Sequence, residues 1–428
     1  MIKKLLSCLI IAVMMLTVAA CRGEQNSNNS DITNIGNVEN SSNASQPEGD
    51  EKEDVSSDTH THDYEDGICI FCNDELDGYL RYYPFNEIKV TKNELNSIFK
   101  KKYTKPKNII VMIGDGMGPN DIILSEKYSQ DLYSFGLAFN DIPYQGLVTT
   151  DSLEGTTDSA ASATALATGT KTRNGYVGKN YLGADLKNVS EIARECGKKV
   201  GIVTNDSILG ATPMGFTAHA NSRDDHFELF NSAFTFAPDV FVGVADSSYK
   251  NNMSHSLLQN YLISESVYDL NYVLNSDKNV KKKYLGYYSE GMVSSLQVYT
   301  QIALDRLKNK NGFFLMIENT LADKAGHSND IYGKIDAVPV LDKAVVTVLN
   351  FMKNNPDTLL IITSDHETGG VRLPNENEAV TNALFSTSNH TSTDVKIFAL
   401  GYGAEYFNGK TVDNTELAKF VINAVKGN

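Results

Sequence analysis

The sequence has few cysteines, few basic residues and few long apolar runs, and each of these shortages excludes a class of protein. Five cysteines among 428 residues are too few, and too unevenly placed, for a disulfide framework. Lys and Arg number 38 against 53 Asp and Glu, so the formal net charge is −15. This charge repels phosphate backbones, and we therefore expect no nucleic-acid partner. The hydrophobic content of 41% is too high for a disordered chain, which predicts a globular protein.

Long apolar runs are also missing after the first twenty residues. The run over residues 5–18 follows two lysines and is too short to span a bilayer. It ends in Val-Ala-Ala-Cys, and this pattern of small residues before Cys21 resembles a bacterial lipobox. Residues 1–20 are thus predicted to be a lipoprotein signal peptide, with Cys21 carrying the lipid anchor to the bacterial cell membrane. The alternative is a plain signal peptide cleaved after Ala20, and both interpretations place the mature chain outside the cytoplasm.

Two short segments follow the predicted signal peptide. Residues 21–58 are rich in Asn, Ser, Glu and Asp and contain scarcely an apolar residue, which predicts a disordered tether. Residues 59–80 form a small module in which His62, Cys69 and Cys72 could hold a zinc ion. A local disulfide between the two cysteines, or two free thiols, is the alternative. We expect no catalysis from this module.

A different pattern begins at residue 107, after a connector over residues 81–106, and continues to residue 428. Apolar, β-branched runs predict buried strands over 108–113, 199–204, 313–317, 359–363 and 395–400. Helical patterns lie between them, for example over residues 335–352. Strands buried on both faces that alternate with helices predict an α/β domain with a mainly parallel central sheet and helices on both faces. In such sheets the chemistry gathers at the carboxyl ends of the strands.

Acidic residues and histidines stand at the predicted strand ends. In chain order these residues are Asp115, Glu318, Asp323, His327, Asp365, His366 and His390. Asp323 and His327 are four residues apart, which puts both on one face of a helical turn. Any one of these residues alone would be interpreted as a cap or a solvated side chain. Together, at several strand ends, they are typical of zinc ligands, with harder oxygen ligands for magnesium.

A candidate nucleophile lies in the segment 157–165. Ser159 opens a predicted helix of small residues, which lets the backbone approach a metal ion or a phosphate closely. The N-terminus of a helix also favours negative charge on a serine oxygen and on a phosphoryl group. Ser162 is a second serine within reach. The alternative role for Ser159 is purely structural, as the N-cap of a buried alanine-rich helix.

The motifs together resemble the alkaline phosphatases of the metal-dependent serine type. In order, the matching blocks are 113–118, 157–169 with Lys171-Thr172, 211–213, His219 with Arg223, 318–327, 363–366 and 390–391. The resemblance implies hydrolysis of phosphate monoesters through a phosphoserine on Ser159, with Arg223 gripping two phosphate oxygens. It also implies two zinc ions and one magnesium ion. One zinc would be held by Asp323, His327 and His390, the other by Asp115, Asp365 and His366, and the magnesium by Asp115, Thr212 and Glu318.

The sequence departs from the family at Gly210 and in the segment 244–292, and it leaves competing functions open. Gly210 stands where family members commonly carry an Asp or a His that orients water on the magnesium, so weak magnesium binding is expected. Lys324 matches a lysine that in some members reaches phosphate through water. Residues 244–292 match nothing and are expected to shape the site mouth or a dimer contact, since homodimers are usual in this family. A phosphodiesterase or sulfatase of the same superfamily, or a non-catalytic surface binding lipoprotein, are the competing interpretations.

Overall fold

The computed structural model describes residues 64–65, 68–69, 90–133, 136–264, 283–288, 296–375 and 378–427. The predicted signal peptide, Cys21, the tether, and His62 and Cys72 of the small module lie outside these residues, so the predictions about them stay predictions. Of that module the structure gives only an antiparallel pair of short strands, β1 (Tyr64–Glu65) and β2 (Ile68–Cys69). No helix among the described residues is both long enough and apolar enough to cross a membrane.

A ten-stranded sheet forms the centre of the fold. Its strands are β3 (Asn108–Gly114), β4 (Tyr144–Thr149), β5 (Lys199–Ser207), β6 (Val240–Val244), β7 (Tyr261–Ser264), β8 (Lys283–Tyr288), β9 (Phe313–Asn319), β10 (Thr358–Thr363), β13 (Val395–Leu400) and β14 (Thr411–Asp413). They lie in the order β14-β4-β13-β10-β3-β9-β5-β6-β8-β7. Only β13 runs against its two neighbours, β4 and β10, and all other neighbouring pairs are parallel. The predicted mainly parallel sheet is confirmed.

Helices cover both faces of this sheet, as the sequence predicts. They are α1 (Lys92–Phe99), α2 (Pro119–Tyr133), α3 (Ser159–Thr168), α4 (Val189–Glu195), α5 (Ala211–Gly215), α6 (His226–Phe236), α7 (Ser247–Asn252), α8 (His255–Leu258), α9 (Leu296–Arg306), α10 (Leu321–Ser328), α11 (Ile331–Met352) and α12 (Asn414–Lys426). Short 3-10 turns lie at Ala138–Asp141, Val380–Asn382 and Ala404–Phe407. Along β3, Ile109 and Val111 pack in the core under α3, α4 and α12, whereas Ile110 and Met112 pack in the core under α9 and α11. Both faces of the strand are buried, which explains its continuous apolar run.

The described part of the unmatched segment 244–292 belongs to the sheet and its cover. Helices α7 and α8 precede β7, which pairs with β8, and these two strands form one end of the sheet. The helix predicted over 335–352 begins earlier, at Ile331. The reason is a cap, because the Asp330 side chain accepts a hydrogen bond from the Tyr332 backbone N–H at 3.0 Å.

The reversed direction of β13 has a consequence for the site. Because β13 is antiparallel to β10, its first residue lies at the edge where β10 ends. His390 comes five residues before β13 and pairs, in the two-residue strand β12 (His390–Thr391), with β11 (Glu367–Thr368). A residue that precedes a strand thereby reaches the same edge as residues that follow the parallel strands.

Candidate metal-binding active site

The carboxyl ends of three adjacent parallel strands supply most of the site. Strands β10, β3 and β9 lie side by side in the sheet. Asp115 follows β3 directly, Glu318 is the penultimate residue of β9, and Asp365 comes two residues after β10. The short helix α10 follows β9 and carries Asp323 and His327 on one face. Parallel strands end at a common edge, so these side chains converge as the sequence pattern predicts.

A first cluster joins Asp323, His327 and His390. Asp323 Oδ1 lies 3.3 Å from His327 Nε2 and 3.4 Å from His390 Nε2, and the two ring nitrogens are 3.2 Å apart. Each histidine places its Nδ1 against a backbone carbonyl, His327 at 2.7 Å from Ser388 and His390 at 2.9 Å from Thr157. A protonated Nδ1 that donates to a carbonyl leaves Nε2 with a free lone pair. Two imidazole nitrogens and one carboxylate oxygen facing a common point fit a zinc ion.

A second cluster joins Asp115, Asp365 and His366, all of them buried. His366 Nε2 lies 3.2 Å from Asp365 Oδ2 and 3.6 Å from Asp115 Oδ1, and the donor atoms are all within 4.8 Å of one another. Neither of these two carboxylate oxygens has a hydrogen-bond partner within the part of the chain that the structure describes. Buried carboxylate oxygens without donors are costly, so this cluster also fits a cation.

The electrostatics of the clusters favour cation binding. Burial and the neighbouring carboxylates raise the pKa of Asp115 well above its usual range, and burial raises the pKa of Asp365 to about 6. Burial and the charge of His390 hold the pKa of His366 well below its usual value. Asp323 differs, because its hydrogen bonds with His390 and Thr368 outweigh the effect of burial and lower its pKa. A bound cation would relieve the repulsion among the buried carboxylates.

A third set of donors is made of oxygen atoms only. Burial raises the pKa of Glu318 to about 7, although its Oε2 accepts a hydrogen bond of 2.5 Å from Thr204 Oγ1. Thr212, on α5, is buried, and its side-chain contact with Glu318 acts against the rise in the pKa of that carboxyl. Glu318 of β9 lies opposite Ile113 of β3, two residues before Asp115, and its charge contributes to the raised pKa of Asp115. Hard oxygen donors of this kind fit a magnesium ion.

Ser159 lies beside the second cluster. It is the first residue of α3, only 4% exposed, and its Oγ is 3.2 Å from His366 Nε2. Ser162 differs, because its Oγ donates a hydrogen bond of 2.7 Å to the backbone carbonyl of Asp365. Of the two serines that the sequence leaves open, the geometry favours Ser159 as the nucleophile.

Asp158 connects the helix of Ser159 to Arg223, a role that sequence reasoning missed. Asp158 Oδ1 accepts the backbone N–H of Ala161 at 2.9 Å and caps α3. Its Oδ2 accepts a hydrogen bond of 3.2 Å from Arg223 Nη1 and one of 3.0 Å from the Gly175 backbone N–H. Asp158 directly precedes the serine, so a preferred N-cap residue at this position was the available signal.

Two further polar contacts reach the site residues from positions that carry no motif. Thr368 Oγ1 donates a hydrogen bond of 2.6 Å to Asp323 Oδ1 and thereby orients that carboxylate. Lys324 forms an ion pair of 2.8 Å with Asp206, which lies near the end of β5. No motif indicates Asp206, because the pairing depends on how β5 and α10 meet in the fold.

A side chain at Gly210 is expected to strengthen magnesium binding. Gly210 is the N-cap residue of α5, with φ −59° and ψ 156°, a backbone conformation that other residues adopt, but an added Cβ would lie only 3.0 Å from the Ser207 carbonyl oxygen, which would have to move slightly. We expect Gly210→Asp or Gly210→His to lower the magnesium concentration for half-maximal activation by about tenfold, because each adds a side chain that orients water beside Thr212. Magnesium titration of activity checks this, with Gly210→Ala as the control that adds only a methyl group. Unchanged activation in both variants would contradict the prediction.

Comparison with known proteins agrees with this geometry. The family model described as alkaline phosphatase matches residues 106–236 and 252–385. Alkaline phosphatase 4 of Bacillus subtilis is 32% identical over 322 residues, which is 67% of this chain and 67% of that protein. The structure of the alkaline phosphatase from the Antarctic bacterium TAB5 matches with a TM-score of 0.68 and 29% identity, over 76% of this chain and 99% of that one. A variant of that enzyme with Mg bound in its M3 site matches with a TM-score of 0.66 and 28% identity, over 76% of this chain and 99% of the other.

Proposed function

Since the chain belongs to the alkaline phosphatase family, we propose that it hydrolyses phosphate monoesters to an alcohol and inorganic phosphate through a phosphoserine formed on Ser159. The family makes the chain a metal-dependent phosphatase. The observation that carries the finer proposal is the position of Ser159 Oγ, 3.2 Å from His366 Nε2 at the edge of the second cluster. A nucleophile at that place lies next to the cation that the cluster would hold.

Arg223 and the helix terminus would bind the phosphoryl group beside Ser159. The guanidinium of Arg223 is held by Asp158 at 3.2 Å, and its side chain keeps 37% of its surface exposed. Its planar fork can donate to two phosphate oxygens at once. The backbone N–H groups at the start of α3 favour the negative charge of the same group. Both features would orient the phosphorus in front of the serine oxygen.

Two displacements at phosphorus complete the reaction. In the first, the Ser159 hydroxyl loses its proton to solvent and its oxygen forms a bond to phosphorus while the bond to the ester oxygen breaks, and the leaving oxygen takes up a proton from solvent to give the alcohol. In the second, a water oxygen forms a bond to phosphorus and loses a proton to solvent, the bond between Oγ and phosphorus breaks, and Oγ takes up a proton as inorganic phosphate leaves. Each displacement is in line and inverts the configuration at phosphorus, so we expect overall retention.

We assign two zinc ions and one magnesium ion to the three donor sets. Asp323, His327 and His390 would hold one zinc, and Asp115, Asp365 and His366 the other. Asp115 would also reach the magnesium with Thr212 and Glu318. When bound, these ions neutralise the charge of the phosphoryl oxygens and of the entering and leaving oxygens.

The proposal is tested by comparing p-nitrophenyl phosphate with bis-p-nitrophenyl phosphate between about pH 6 and about pH 11. The assay uses the chain without residues 1–20, with zinc and magnesium counted in the same samples. We expect strong turnover of the monoester at alkaline pH and weak turnover of the diester. Preference for the diester would replace the proposal by a phosphodiesterase, and a metal-loaded protein that turns over neither ester would favour a binding role.

We also propose that the enzyme is anchored outside the cytoplasm through a lipid on Cys21. The support is the lipobox-like sequence before Cys21 and the polar segment 21–58 that would separate the anchor from the catalytic domain. Expression of the full chain in a bacterium with a labelled fatty acid tests this. Label in the wild-type protein and none in Cys21→Ser would support the anchor, whereas an unlabelled wild-type protein would contradict it.

A further inference from the structure

A fully buried ion pair lies directly behind the metal-binding edge. Lys334 of α11 and Asp121 of α2 are both 0% exposed, and Lys334 Nζ lies 2.9 Å from Asp121 Oδ2. The sequence motifs do not include either residue, and neither has a part in the two displacements at phosphorus. Burying two charges is costly unless each has further hydrogen-bond partners. The partners of this pair therefore indicate what it does.

Both members of the pair bind the loop that follows β3. Lys334 Nζ donates a second hydrogen bond, of 2.9 Å, to the backbone carbonyl of Gly116. Asp121 Oδ2 accepts the backbone N–H of Gly118 at 2.7 Å. The Lys334 ammonium thus donates to the carbonyl of Gly116, and the Asp121 carboxylate accepts from the N–H of Gly118, so the pair binds both ends of the three-residue segment 116–118. An apolar pair of similar size would leave the Gly118 N–H without its carboxylate partner.

Gly116, the residue that Lys334 holds, touches metal ligands of both clusters. It follows Asp115 in the chain, and its backbone N–H donates to Asp365 Oδ1 at 3.1 Å. A Cβ at this position would lie only 2.5 Å from the Cα of Asp323, and the φ of +67° also favours glycine. The backbone of Gly116 is therefore packed against Asp323 of the first cluster and bonded to Asp365 of the second.

We propose that Lys334 and Asp121 are positioning residues that fix Gly116 and thereby set the spacing between the two candidate zinc clusters. This inference depends on the proposed function, because it concerns the zinc affinity of the clusters. It concerns only how the clusters are held, and not the chemistry at phosphorus.

The test measures zinc affinity directly, by competition with a chromophoric chelator, in Lys334→Met and Asp121→Asn. Loss of a group that orients ligands weakens metal binding about 10- to 100-fold, and we expect the zinc dissociation constant to rise by that factor in Lys334→Met. Asp121→Asn keeps an oxygen for the Gly118 N–H and removes the charge, so its rise should be smaller. If Lys334→Met does not fold, the result for Asp121→Asn decides.

A matched variant separates positioning from stability. Leu349→Ala removes a fully buried side chain from the same helix α11, fifteen residues after Lys334 and so about 22 Å further along the helix axis. We expect it to lower the melting temperature of the metal-free protein and to leave the zinc dissociation constant within about twofold. Zinc affinity unchanged in Lys334→Met and Asp121→Asn, or in Asp121→Asn alone where Lys334→Met does not fold, with stability lowered as in Leu349→Ala, would overturn the inference. Wild-type protein that binds no zinc would instead overturn the proposed function, and this inference with it.

Discussion

Replacement of Ser159 by alanine is expected to lower kcat for a phosphate monoester by about 1,000-fold or more. The change removes the oxygen that would bond to phosphorus and leaves the two metal-ligand clusters intact. Ser159 is the first residue of α3, and its helix cap comes from Asp158, so we expect little loss of stability. Steady-state kinetics with p-nitrophenyl phosphate, at saturating zinc and magnesium, measure the effect.

Ser162 provides the matched control within the same helix. Its hydroxyl donates to the backbone carbonyl of Asp365, so Ser162→Ala removes one hydrogen bond behind a ligand and not a reacting atom. We expect kcat of Ser162→Ala to fall by about tenfold or less, since it loses a single neutral hydrogen bond. Acid quenching with ³²P-labelled substrate should trap label in the wild-type protein and in Ser162→Ala, but not in Ser159→Ala. Label retained in Ser159→Ala would rule out Ser159 as the nucleophile.

The sequence predicts the convergence of the site because each signal is local. A buried strand followed by an acidic residue can be recognised within a short stretch of sequence, as in β3 and Asp115. The spacing of four between Asp323 and His327 predicts one helical face, and in the structure Asp323 Oδ1 and His327 Nε2 lie 3.3 Å apart. Sheet geometry then brings these separate runs to one edge. Their convergence can therefore be predicted without knowing which strands pair.

The contacts that hold the site in place were beyond the sequence, because they join distant segments. Lys334 and Asp121 are 213 residues apart in the chain. A weak signal existed, since Lys334 lies on the same helical face as the buried Val338 and Leu341, where a lysine is unexpected. That pattern shows that a buried charge needs a partner, but the identity of the partner depends on how α2 and α11 pack. The reversed direction of β13 was equally hidden, because a buried strand has the same composition in either direction.

Removal of metal is expected to abolish phosphatase activity and to lower the melting temperature by an amount that grows with pH. In the metal-free protein, burial raises the pKa of Asp365 to about 6 and that of Glu318 to about 7. A cation must displace the protons that these carboxyls hold below those values, so binding weakens as pH falls through the window from about 7 to about 6. The stability that the cation gives depends on its affinity for the folded protein and should follow the same trend.

The metal-free protein should itself lose stability as pH rises through this window. Because the pKa of each carboxyl is higher in the folded protein than in the unfolded chain, the folded state holds protons that the unfolded chain has already released. The free energy of unfolding therefore falls as pH rises from about 4 towards about 7, and the raised pKa of Asp115 acts in the same direction. His366 opposes this trend, because its pKa is lowered, whereas the pKa of His390 is raised by its hydrogen bond with Asp323 and acts in the same direction as the carboxyls. At alkaline pH we thus expect the largest gap between the metal-bound and metal-free proteins, of about 5 to 10 °C.

Melting curves with zinc and magnesium, and after dialysis against a chelator, measure this gap at about pH 5 and about pH 8. Asp365→Asn should show a much smaller gap at the higher pH, because the second cluster loses a charged ligand.

The control is Asp342→Asn. Burial raises the pKa of Asp342 to about 7 as well, but its carboxylate accepts the backbone N–H groups of Ala138 and Phe139 and belongs to neither cluster. We expect Asp342→Asn to keep the wild-type gap, because its titration is the same with and without metal. A gap of equal size at both pH values would contradict proton competition at the buried carboxylates, and no gap at either pH would contradict metal binding by the clusters.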